Sequence, residues 1–105
     1  MDRLDQLRDS VQHDSNDPVR LVTLAAEYLI RGDPDQAIPI LHLALDIDPS
    51  CVAAWEHLAR CHRIAGRPHE ATTAATQGLE IADEADDPIG RDLFRQFLSQ
   101  GNQDQ

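Results

Sequence analysis

Two consecutive stretches decide the fold: PVRLVTLAAEYLIRGDPDQAIPILHLALDIDPSC at residues 18–51 and VAAWEHLARCHRIAGRPHEATTAATQGLEIADEA at residues 52–85. Laid over each other at an offset of 34 residues, they pair Leu21 with Trp55, Leu24 with Leu58, Ala25 with Ala59 and Tyr28 with His62. Farther along, Gly32 falls on Gly66, Pro34 on Pro68, Ala37 on Ala71, Leu45 on Leu79 and Ile47 on Ile81. Two Gly-x-Pro matches in register are hard to obtain by chance, so the chain carries an internal repeat.

Each copy reads as two helices joined by a tight turn. In the first, Asp17 is placed to cap a helix whose first residue, Pro18, needs no N–H. Leu21, Leu24, Ala25 and Tyr28 then follow the 3, 4, 7 spacing of one helical face. Gly32 closes that helix in a left-handed conformation, and Asp33-Pro34 caps and opens the next. Ala37, Ile38, Leu41, Ala44, Leu45 and Ile47 carry the second apolar face until Asp48-Pro49 ends it. Pro39, close to the start of this helix, predicts a bend and not a break.

The second copy repeats the plan, with Ala71, Ala74, Ala75 and Gly78 where the first has Ala37, Ile40, Leu41 and Ala44. Such small residues imply a bulky neighbour. The final helix, residues 88–99, offers Ile89, Leu93, Phe94, Phe97 and Leu98, and both phenylalanines are expected over Ala75 and Gly78. At the other end, residues 1–14 place Leu7 opposite Leu41 and Val11 opposite Leu45, as the second helix of a worn repeat serving as a cap. Residues 100–105 read as a disordered tail.

A 34-residue helix–turn–helix period bearing Trp55, Leu58, Ala59, Gly66 and Ala71, and Leu24, Ala25, Tyr28, Gly32, Ala37, Ala44 and Pro49, resembles the tetratricopeptide repeat. The match covers residues 18–85, with flanking helices as half-repeats. His62 for the usual aromatic and Asp83 for the repeat-ending proline are departures, and the late Pro88 extends the preceding helix by about a turn. The resemblance implies an all-α protein, a right-handed α-α superhelix of about six antiparallel helices in a single domain over residues 1–99. It also implies a non-catalytic adaptor whose first helices line a concave groove.

By family register the groove takes Val19, Val22, Ala26, Leu29 and Ile30 from the first copy, and Ala53, Glu56, His57, Arg60, Arg63 and Ile64 from the second. The family's clamp for acidic chaperone tails uses lysines and asparagines where this chain has Val22, Ala26 and His57, so that ligand is excluded. What remains is an apolar anchor site near Val22, Leu29 and Ile30 beside two arginines, Arg60 and Arg63, suited to an acidic group. A peptide segment of a partner protein is the expected ligand. Three alternatives stand beside it: homodimerisation through the apolar strip, cover of that strip by the N-terminal helix, and an ordinary surface pair between Glu56 and Arg60.

Composition narrows the other classes. The 105 residues carry nine arginines, no lysine and 19 acidic residues, a formal charge of −10, which repels nucleic acid and anionic membranes alike. Four aromatic residues in all are too few for a base-stacking platform. No apolar run is long enough to span a bilayer, and with two cysteines and an acidic first segment a cytoplasmic protein is expected.

Three groups of residues are candidates for chemistry: His57 with Cys61 and His62 for a metal, Cys51 or Cys61 as nucleophile, and the carboxylates at residues 83–87 for a cation. None has the spacing its chemistry needs, so neither enzyme activity, cofactor nor metal is expected. The acidity itself has three readings: basic partners, a GC-rich genome, or adaptation to high salt. Under the last, the melting temperature rises in molar KCl relative to dilute buffer, and thermal melts followed by circular dichroism in the two solvents separate it from the others.

Overall fold

The computed structural model describes residues 2–13 and 16–103. Six helices follow one another: α1 (Arg3–His13), α2 (Pro18–Ile30), α3 (Pro34–Ile47), α4 (Val52–Ile64), α5 (Pro68–Glu84) and α6 (Pro88–Gln103). No strand occurs among the described residues. Every helix packs on its chain neighbours, and α4 also touches α2 and α6. Because each short link reverses the chain, α2, α4 and α6 run the same way and form one layer. The outer helices α3 and α5 do not touch each other among the described residues. Close inner contacts with splayed outer helices give a curved slab of 41 × 29 × 19 Å.

The turns explain the reversals. After α2, Asp33 N–H donates to Tyr28 O (2.9 Å) and Gly32 N–H to Leu29 O (3.0 Å), with Gly32 at φ 77°. After α4 the pattern recurs, Arg67 to His62 (2.8 Å) and Gly66 to Arg63 (3.1 Å), again with φ 77° at the glycine. These are Schellman caps, in which a left-handed residue lets the last carbonyls find donors. A third follows α5, from Asp87 to Ala82 and Asp86 to Asp83, but here Asp86 takes the left-handed position at φ 53°.

Helix starts are less uniform. Asp17 Oδ1 accepts from Val19 N–H at 3.0 Å, as the sequence implies, whereas Asp33 occupies the N-cap position without a side-chain cap bond. Asp87 supplies an unanticipated cap, its Oδ1 accepting from Gly90 N–H at 3.0 Å. Pro39 lies inside a continuous α3. The helix α5 runs to Glu84, three residues past the position equivalent to Ile47, as the late Pro88 implies.

The core is mostly Leu and Ala, with Val22, Tyr28, Cys61 and Phe94 beside them: Leu21, Leu24, Leu41 and Leu58 are buried among Ala25, Ala37, Ala44, Ala54, Ala59 and Ala75. Phe94 lies against Gly78, where any Cβ would collide with its ring. Only Phe94 makes that contact. Phe97 turns toward α4, where Arg63 Cζ stacks 3.4 Å from its ring centroid, so the expectation for the second phenylalanine is corrected. The tail is corrected too. Residues 100–103 continue α6, whereas residues 104 and 105 lie outside those described.

At the other end α1 buries no residue fully. Leu4, Leu7 and Val11 pack on the core, and ion pairs join Arg3 to Glu27 (3.3 Å) and Arg31 to Asp2 (2.8 Å).

Asp86 is the one described non-glycine residue with positive φ. Replacing it with glycine removes the steric cost of that conformation, and only an exposed contact to Arg91 at 3.8 Å is lost. Asp86→Gly is expected to raise unfolding stability by about 0.5–1 kcal/mol, measured by urea denaturation.

Candidate functional site

The three inner helices line an open cavity of about 490 Å³. From α2 come Leu29 and Ile30, the last residues before the Gly32 turn. From α4 come Glu56, Ala59, Arg60, Arg63 and Ile64, a floor of residues three or four apart and so on one face. The far wall is α6, with Leu93, Gln96, Phe97 and Gln100 one turn apart, and Phe94 behind them. Ile30, Ile64 and Leu93 are 78%, 59% and 40% exposed, although all three are large and apolar.

The two arginines differ. Arg60 Nη2 lies 3.3 Å from Glu56 Oε1, the i, i+4 pair expected of an exposed helix face. Arg63 reaches across to α6 instead: Nη2 donates to Phe97 O at 2.7 Å and Nη1 to Gln100 Oε1 at 3.4 Å.

Of the groove residues expected from the sequence, Leu29, Ile30, Glu56, Arg60, Arg63 and Ile64 converge here. Val22 does not: it is buried in the core and lies outside the cavity lining. Val19, Ala26, Ala53 and His57 lie outside the cavity lining, and His57 Nδ1 sits 2.8 Å from the carbonyl of Ala53 on its own helix. The whole α6 wall was missed. The repeat itself could have signalled it, because α6 begins 36 residues after α4 just as α4 begins 34 after α2. A net two-residue slip, from an α5 three residues longer than α3 and a following link one residue shorter, hides the third copy from a fixed-period alignment.

A model of the tetratricopeptide repeat matches residues 28–102. The chain belongs to the tetratricopeptide repeat family. Members of this family are generally non-catalytic protein-interaction modules. No curated protein matches the chain.

Similar solved structures include a protein from Bordetella parapertussis, with a TM-score of 0.87 at 24% identity over 99% of this chain and 90% of that one. Another is the Sgt2 tetratricopeptide repeat domain from Aspergillus fumigatus, with a TM-score of 0.84 at 22% identity over 96% of this chain and 64% of that one. A tetratricopeptide repeat domain protein from Salinibacter ruber gives 0.75 at 22% identity over 82% and 97%. At these identities the likeness concerns the fold.

Among the described residues no three His, Cys, Asp or Glu side chains are grouped to hold a metal ion. No described helix is long and apolar enough to cross a membrane. Cys61 is fully buried, and burial pushes its thiol up to about 11, which leaves it protonated and unreactive at neutral pH. Cys51 precedes α4 and is half-buried.

His62, at the position of Tyr28 in the repeat, is half-buried with Nδ1 fully enclosed and without a hydrogen-bond partner. Burial lowers its pKa below the ordinary 6.5; Arg67 and His42 add to the shift, and Glu70 opposes it. In the unfolded chain the ring takes up a proton more readily than in the folded one. Its contribution to stability is therefore complete above the unfolded pKa of 6.5 and is lost as pH falls below it. The melting temperature is expected to drop between neutral pH and pH of about 5, and His62→Tyr to lessen that drop, in melts across the range.

Proposed function

We propose that the protein binds a segment of a partner protein in the cavity formed by α2, α4 and α6. The observation that carries this reading is the convergence of unsatisfied apolar surface: of the seven exposed large apolar residues among those described, three, Ile30, Ile64 and Leu93, line this one cavity. Scattered apolar residues are ordinary on any surface, but a contiguous concave patch rimmed by polar groups marks a binding face. Leu29, Ile30, Ile64 and Leu93 serve as the anchor site for an apolar side chain, and Arg63 orients an acidic group beside it, Arg60 being paired with Glu56. The binding is non-catalytic. It requires neither cofactor nor metal.

A second reading, self-association, rests on the same three residues, since a second copy would cover them equally well. Photo-crosslinking distinguishes the two. A photoreactive residue at Ile64 is expected to give a discrete adduct with another protein in cells, whereas the same residue at Leu43, on the outer helix α3, gives none. An adduct of twice the protein's own mass transfers the role to the homodimer. Equal labelling from both positions removes the cavity from either account.

A further inference from the structure

The two groove arginines are not equivalent toward a ligand. Arg60 already faces Glu56, whereas no carboxylate among the described residues pairs with Arg63. Arg63 is also oriented in advance. Its guanidinium lies over the Phe97 ring, Cζ 3.4 Å from the centroid, and is pinned by the Phe97 carbonyl and the Gln100 amide oxygen. Gly101 leaves room for this arrangement, because a Cβ there would stand 3.3 Å from Nη2. A guanidinium has five N–H donors, and these two hydrogen bonds leave the others available. A half-buried, immobilised cation with free donors, in a chain of formal charge −10, is a site complementary to an anion.

Resting on the groove reading above, we infer that the occupant is an extended internal segment of a partner, in which a single Asp or Glu neighbours a large apolar side chain. The carboxylate sits on Arg63. Apolar surface lies on both walls, Leu29 and Ile30 on one and Leu93 on the other, so the chain continues past the acid in each direction. A terminal carboxylate would cover only one wall. Gln96 and Gln100 line α6 one turn apart, and amides that both donate and accept match the backbone of an extended segment. The overall negative charge repels a heavily acidic ligand, but beyond about 8 Å it is screened at physiological ionic strength, which leaves one carboxylate to be read locally.

The test uses short random peptides displayed on phage and selected on the full chain, with affinities of the winners measured by fluorescence anisotropy. The expected winners carry one Asp or Glu beside Leu, Ile, Phe or Trp, and changing that acid to its amide weakens binding about tenfold or more. Arg63→Gln produces the same loss, and Arg60→Gln changes affinity less than about twofold. Because Arg63 also holds α6, each variant is melted by circular dichroism, and the amide swap in the peptide decides the matter whatever the variant's stability. Winners that are lost on Ile30→Asp but lack an acid, or ignore the amide swap, overturn the inference and leave the groove reading intact. Winners indifferent to Ile30→Asp overturn both.

Discussion

Each helix of this protein has apolar residues enough for a shared face and not for a core of its own, and that shortage governs the architecture. Leu21 and Leu24 on α2, Leu41 and Leu45 on α3, and Leu58 on α4 are shielded only because the next helix lies over them. Each such side chain contributes about 1.5–3 kcal/mol when withdrawn from water, so an unpaired hairpin would forgo several of these terms at once. Stacking is the remedy, and the ends need lids. The C-terminal lid α6 contributes Phe94, the largest fully buried side chain, over the smallest residue available, Gly78. The N-terminal lid α1 contributes a narrow stripe and ion pairs.

Much of this was legible because the local rules and the repeat agree. Gly32 and Gly66 announce the left-handed caps, and the prolines at 18, 34, 68 and 88 mark helix starts. What escaped the sequence was local chemistry at special positions. Asp86 does a glycine's task, and Asp33 stands at an N-cap without using its carboxylate. The helical continuation of α6 through residues 100–103 runs against a polar composition that favours disorder. For Val22, family register put the residue at the groove, but packing drew it inside.

The site was half legible for a related reason. Periodicity within one copy locates the floor on α4 and the near wall on α2, whereas the far wall depends on how α6 docks, which the two-residue slip conceals. Phe97 illustrates the difference. Read from the sequence it is a second core aromatic. In the fold it carries the Arg63 guanidinium, and so converts a surface arginine into an oriented one. A charge becomes selective when its direction is set before the ligand arrives, and here the direction is set by a residue that belongs to neither complete repeat.

That inner helices touch while α3 and α5 stand apart has a mechanical consequence. Bending such a slab about its inner layer changes the gap between outer helices without breaking a backbone hydrogen bond. The cavity mouth can therefore widen or narrow like the jaws of a leaf spring, at a cost set by side-chain repacking alone. A molecule built this way can change its curvature as a whole, with no dedicated moving part.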